Sequence, residues 1–142
     1  LPTGSAHPNW VPYRAFEASD GWFVLAVGSD SQWQRMVEIL EIGCPESWST
    51  NSGRVKERIG VERTLSKIFK NNTRSHWEDV LEGIPCAPVN TIGQAICDIQ
   101  SVARGAVWSV KGVQTLANPL RGMSLTPAKP GQPSETSFNL NV

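Results

Sequence analysis

The 142-residue chain has little charge, little sulfur and few of the side chains that most often carry chemistry. Asp, Glu, Lys and Arg make up 18% of it, and 13 basic residues cancel 13 acidic ones without a block of either sign. Nucleic acid and anionic membranes are recognised by basic surfaces, so neither is expected as a partner. No apolar run approaches the roughly 20 residues of a membrane span, and no leader or lipidation motif is visible. The three cysteines, Cys44, Cys86 and Cys97, are odd in number and far apart, which argues against a disulfide framework and for a cytoplasmic location. The only histidines are His7 and His76. Without H-x-x-x-H, C-x-x-C or a carboxylate cluster at ligand spacing, neither a metal nor another cofactor is expected. G-x-S-x-G and P-loop motifs are missing too, and Gly4-Ser5 is too short to cradle a phosphate.

What remains is 39% apolar, enough for a hydrophobic core, with six tryptophans spread along the chain. Most of these are expected inside, with Trp10 or Trp48 the candidates to face a partner. Tyr13–Ala18 and Trp22–Gly28 flank Asp20-Gly21, a strong hairpin signal. The second run, Trp22–Val27, is almost wholly apolar and predicts a strand covered on both faces. Ser29 or Asp30 then caps a helix whose stripe is Trp33, Met36, Val37 and Leu40. A second helix is predicted from Arg54 to about Asn71, with Val61, Leu65, Ile68 and Phe69 inward and a bend or close contact at Gly60. Its charged flank of Arg54, Lys56, Glu57, Arg58, Glu62 and Arg63 reads as solvated surface. Thr73 or Ser75 caps a third helix with the stripe Trp77, Val80, Leu81 and Ile84. Pro85 and Pro88 make the segment between them extended and unable to occupy a central strand. A helical stretch from Thr91 to about Arg104 and a second hairpin around Lys111-Gly112 follow. The predicted class is α+β: a small antiparallel sheet from two hairpins, packed with three to four amphipathic helices and trailed by an extended C-terminal tail.

Among candidate functional residues, His76 sits on a charged helix and reads as a bystander. Cys86 has no neighbouring base in sequence and reads as a small buried hydrophobe rather than a nucleophile. Asp20 is explained by its turn. His7 is the better candidate, since it lies in the Gly/Pro/Asn-punctuated loop Gly4–Pro12 that feeds a rigid hairpin. A small enzyme using His7 with Asp20 is one reading; a free-standing, self-associating interaction module is another.

Several short stretches, taken in order, resemble the small domain of the family III CoA-transferases, the CaiB/BaiF type that includes acyl-CoA racemase relatives. They are Gly4…His7-Pro8-Asn9…Pro12-Tyr13…Phe16…Asp20-Gly21, then Trp33, Thr50-Asn51…Arg54-Val55…Arg58 and Trp77. Gly83-Ile84-Pro85-Cys86-Ala87-Pro88-Val89-Asn90, Asp98-x-Gln100, Ala103-Arg104-Gly105, Asn118-Pro119 and Leu125-Thr126-Pro127 complete the series. The resemblance spans about residues 3–128 and assigns 1–128 to the small domain, leaving 129–142 as an extended or disordered tail. It implies a domain inserted after a Rossmann-like CoA-binding domain within an interlocked dimer. It also implies CoA transfer between a thioester and a carboxylic acid through an aspartyl mixed anhydride, or a proton shift at the α-carbon in racemase relatives. That aspartate and most CoA contacts belong to the large domain, so no catalytic residue is assigned in this chain. Gly4, His7 and Asn9 correspond to a mobile loop that closes over the site, as substrate-facing groups. Acyl-CoA is then a partner only together with a large domain, and homo-oligomers are compatible with the family. Gly131–Ser137 replaces the Pro-Pro-Leu-Gly-Glu-His segment with which the family usually returns to the large domain, and Leu1 stands where a linker belongs. The chain therefore reads as a separated domain or one subunit of a split enzyme, not catalytic by itself.

Overall fold

Asp20-Gly21 reverses the chain as its turn chemistry predicts. β1 (Tyr13–Ala18) and β2 (Gly21–Ala26) pair antiparallel, with Phe16 opposite Phe23 and Glu17 opposite Trp22. The computed structural model describes residues 4–110 and 112–117; the tail at 129–142 and the family-like matches at 118–119 and 125–127 lie outside the described residues. Gly21 has φ +145°, a conformation that L side chains rarely adopt, and a Cβ there would lie 3.2 Å from Arg74 Nε. β3 (Cys86–Pro88) joins the far edge of β2, antiparallel, with Leu25 opposite Cys86. An edge is where a proline-bracketed strand must go, because proline gives the ladder no donor.

The chain divides into two compact units, Leu1–Val89 and Asn90–Val142. In the first, the sheet carries α1 (Asp30–Leu40), a 3-10 turn (Glu46–Trp48), α2 (Asn51–Lys56), α3 (Arg58–Phe69) and α4 (Arg74–Val80). Ser29 caps α1 by accepting from the Gln32 N–H. Thr73, rather than Ser75, caps α4, its hydroxyl accepting from the His76 N–H at 3.3 Å. Phe16, Phe23, Leu25, Trp33, Met36, Val61, Leu65, Phe69, Trp77, Leu81 and Ile84 form one buried core. Phe69 is its hub: the rings of Phe16, Phe23 and Trp77 each lie 5.1 Å from it, edge to face. Trp33 and Trp77 are buried as expected; Trp48, a candidate to face a partner, is buried too, whereas Trp10 and Trp22 are exposed and Trp108 is half-buried, so half of the six tryptophans lie inside rather than most. β2 is covered less fully than its composition predicts. Phe23 and Leu25 are buried, but Trp22 is exposed and Val24 half-buried.

Two expectations need correcting. The helix predicted from Arg54 is two helices that abut at Glu57, whose φ of −105° and ψ of 25° interrupt the winding. Gly60 does make the close contact, since a Cβ there would lie 3.5 Å from the Trp48 ring, but the break falls three residues earlier. The charged flank is not all solvated either: Arg54 is fully buried and Glu62 nearly so. Gly53 explains how closely this region packs. A Cβ there would run into the Ser47 carbonyl oxygen, so only glycine lets α2 approach the 3-10 turn.

The hairpin turn is also tied to α4. Asp20 Oδ1 accepts the Arg74 N–H at 2.7 Å, and Oδ2 lies 3.4 Å from Arg74 Nε. The hydrogen bond from the Arg74 backbone N–H, chiefly, holds the Asp20 carboxyl below its ordinary 3.8. A native pKa below the unfolded one means a stabilisation that is complete above 3.8 and lost as pH falls through the lower native value. Asp20→Asn is therefore expected to melt below the wild type at neutral pH. The gap should narrow as the pH falls below the ordinary carboxylate range, which paired thermal melts over that range would show.

The second unit contains α5 (Ile92–Cys97), α6 (Ile99–Ala103), β4 (Val107–Val110) and β5 (Val113–Leu116). The single helix predicted from Thr91 is divided at Asp98. There the backbone turns extended, and the carboxylate accepts the Gln100 N–H at 2.8 Å to start α6. β4 and β5 form the predicted second hairpin. None of the described side chains of this unit is buried, and Ile92, Ile99, Val102 and Leu116 are exposed.

Candidate functional site

The N-terminal loop is held mainly by its backbone, with the Ser5 hydroxyl as one side-chain contact. Its first contacts are to β1: Ser5 Oγ accepts from the Ala15 N–H at 3.2 Å, and the His7 N–H donates to the Tyr13 carbonyl at 2.8 Å. The Val27 N–H donates to the Pro12 carbonyl at 3.0 Å, and further contacts come from a stripe of side chains on α2 and α3. Arg58 Nη2 donates to the carbonyls of His7 at 3.0 Å and Pro8 at 2.7 Å. Asn51 donates to the Asn9 carbonyl at 2.8 Å and accepts from the Val11 N–H at 3.1 Å. Arg54 Nε donates to the Val11 carbonyl at 2.7 Å.

The clamp is braced from behind. Glu62 takes Arg58 Nη1 on one oxygen at 3.3 Å and Arg14 Nη1 on the other at 2.6 Å. Arg54 lies under the Trp33 ring, 4.9 Å from its centroid, and also donates to the Trp48 and Ser49 carbonyls and to Asp30. Asn51 and Arg54 lie one turn apart on α2, and Arg58 and Glu62 one turn apart on α3, so each helix contributes one turn of the stripe at spacings of three and four residues. Reading the charges as a solvated flank hides this stripe; that spacing is the signal that reveals it.

Gly4, His7 and Asn9 all belong to this loop. Gly4 is exposed, with φ +61° and nothing within 4 Å of where a Cβ would be. The structure brings His7 and Asn9 together, the Asn9 N–H donating to His7 Nδ1 at 3.1 Å. The His7 ring also stacks on Tyr13 at 5.2 Å and 22°. Asp20 is elsewhere. It follows the far end of the six-residue β1, which at about 3.3 Å per residue puts it roughly 20 Å from His7. The two cannot act on one substrate atom, which removes the reading that paired them.

His76 is exposed against the edge of Trp77, on α4. Cys86 is half-buried on β3, and burial, with the Glu78 charge, pushes its thiol above the ordinary value, the opposite of an activated nucleophile. Among the described residues no group of three or more His, Cys, Asp or Glu side chains is placed to hold a metal ion. Among them, too, no helix is long and apolar enough to cross a membrane.

These features define a small α+β module that presents an N-terminal loop on a fixed main chain. The sequence pattern of CoA-transferase family III matches residues 1–136, and the chain belongs to that family. It is 37% identical over 111 residues to the succinate–glutarate CoA-transferase of Agrobacterium fabrum, covering 72% of this chain and 27% of that enzyme. Against the acetyl-CoA:oxalate CoA-transferase of Acetobacter aceti the identity is 27% over 139 residues, covering 92% and 35%. The crystal structure of a CaiB/BaiF family protein from Brucella suis superposes with a TM-score of 0.78 at 36% identity, covering 83% of this chain and 32% of that one. The chain thus spans about a third or less of the length of these relatives.

Proposed function

We infer that this chain acts as the small domain of a family III CoA-transferase, contributing the Gly4–Asn9 loop to a site whose CoA-binding half and catalytic aspartate lie in a large domain. On this reading the reaction moves CoA between an acyl-CoA and a carboxylic acid, and the chain alone does not catalyse it. The observation that carries the reading is the clamp. Arg58, Asn51 and Arg54 hold the loop by its carbonyls, while the His7 ring takes the Asn9 backbone N–H on Nδ1 and stacks on Tyr13, with no carboxylate or thiol hydrogen-bonded to it among the described residues.

A graft tests it. Replacing the matched 111 residues of the Agrobacterium fabrum enzyme with the corresponding residues of this chain should leave a chimera that transfers CoA, while the chain by itself shows no turnover. A folded chimera without transfer, or turnover by the isolated chain, would overturn the assignment.

The exposed Ile92, Ile99, Val102 and Leu116 favour a second reading, a module that associates with copies of itself. Light scattering that finds only monomer across a wide concentration range removes it.

A further inference from the structure

The clamp fixes which proton the His7 ring can carry. A backbone amide can only donate, so the 3.1 Å contact from the Asn9 N–H requires a bare Nδ1, and the neutral ring must hold its proton on Nε2. Nε2 has no hydrogen-bond partner among the described residues, and the stack on Tyr13 sets the plane of the ring. A general base needs the reverse arrangement, with Nδ1–H held by an acceptor and the Nε2 lone pair free. The His7 ring therefore ends in an unused N–H, suited to an electron-rich oxygen and unsuited to removing a proton.

Two side chains keep it so. Arg58 holds the carbonyls of His7 and Pro8, and its own direction is set by Glu62, which Arg14 braces in turn. Asn51 pins the Asn9 carbonyl, and with it the residue whose N–H occupies Nδ1. Resting on the small-domain reading above, we propose that His7 donates its Nε2–H to an acyl oxygen, carboxylate or thioester carbonyl, with Arg58 and Asn51 as the positioning residues that impose this tautomer. A donor placed in advance at an oxygen that gains negative charge during acyl transfer lowers the barrier without moving a proton.

The test uses the full 142-residue chain, labelled with 15N, and long-range 15N–1H spectra of its two histidines at about pH 8, where an imidazole is neutral. His7 should report the Nε2–H tautomer, with His76 as the internal comparison. Arg58→Ala should mix the His7 tautomers and speed amide exchange at Asn9 about tenfold, leaving the Asp20-Gly21 end of the hairpin unchanged. Arg58→Lys should restore part of the preference. Titration with glutarate should move His7 Nε2 and the Gly4–Asn9 amides saturably in the wild type and leave His7→Phe unmoved.

A wild-type ring protonated on Nδ1, a tautomer indifferent to Arg58, or a loop that ignores glutarate would each overturn the proposal. If Arg58→Ala does not fold, the wild-type and Arg58→Lys spectra still decide it. The two readings fail separately. A transferring chimera with an Nδ1–H His7 removes only this inference, whereas an inactive, folded chimera with the Nε2–H ring removes the small-domain assignment.

Discussion

Replacing Arg54 with alanine is expected to destabilise the chain by about 3–5 kcal/mol, a large share of the roughly 5–15 kcal/mol that holds an ordinary domain folded. Little of that comes from its ion pair. The Asp30 side chain is 49% exposed and regains water when its partner leaves. The loss arises at the other end, where the guanidinium serves the carbonyls of Val11, Trp48 and Ser49 under the Trp33 ring. Each carbonyl left buried without a donor costs about 1–3 kcal/mol, and the cavity adds to it. Arg54→Lys should recover little, because an ammonium on a flexible stem cannot serve carbonyls in several directions as the planar fork does. Asp30→Asn should cost no more than about 1 kcal/mol. Urea unfolding of the three variants checks the order. A loss below about 1 kcal/mol for Arg54→Ala would mean that water replaces the fork, and that Arg54 is not the anchor described above.

Phe69→Ala is expected to be as severe, at about 3–5 kcal/mol, for a different reason. Phe69 ends α3 with its ring in contact with Phe16 of β1, Phe23 of β2 and Trp77 of α4. Removing it opens a void that no single neighbour can fill, since each belongs to a different element. The Phe69 carbonyl also accepts the Trp77 indole N–H at 2.8 Å, so collapse around the void strains a buried hydrogen bond. Thermal unfolding measures the loss, and the near-ultraviolet circular dichroism of the native state should weaken as Trp77 loses its edge-to-face partner. Phe69→Leu, which keeps most of the volume, should lose clearly less.

The parts of the fold legible in the sequence are those whose causes are local. Asp20-Gly21 turns because of what those two residues are, and α1 begins where Ser29 can cap Gln32 and shows its core stripe at helical spacing. Pro85 and Pro88 exclude a central strand whatever the rest of the chain does, and β3 lies at an edge. The features that were not legible depend on distant partners. Winding is interrupted at Glu57 in the residue whose carboxylate takes the Trp48 indole N–H at 2.9 Å, nine residues earlier, and nothing in the stretch from Arg54 to Asn71 announces that contact. Arg54 looks like its charged neighbours until the Val11 carbonyl, 43 residues before it, arrives at its side. For the loop, glycine, proline and asparagine mark Gly4–Asn9 as irregular and His7 as the group of interest. Its anchors read at first only as a charged residue on the predicted helix, Arg58, and a polar residue ahead of it, Asn51, which the structure places at the start of α2.

The clamp separates where the loop is from what it displays. Its anchors from α2 and α3 end on main-chain groups, the carbonyls at positions 7, 8, 9 and 11 and the Val11 N–H, and the carbonyls remain whatever side chains those residues carry. Chemistry can therefore be exchanged at His7, Asn9 or Trp10 while the loop keeps its address. Errors in α2 and α3 leave the side chains on display as they are and loosen the address, and with it the tautomer that His7 presents. Substitutions in the two places should then be felt differently by a ligand: in the loop as a change of preference, and in the helices as a change in how often the same preference is correctly presented.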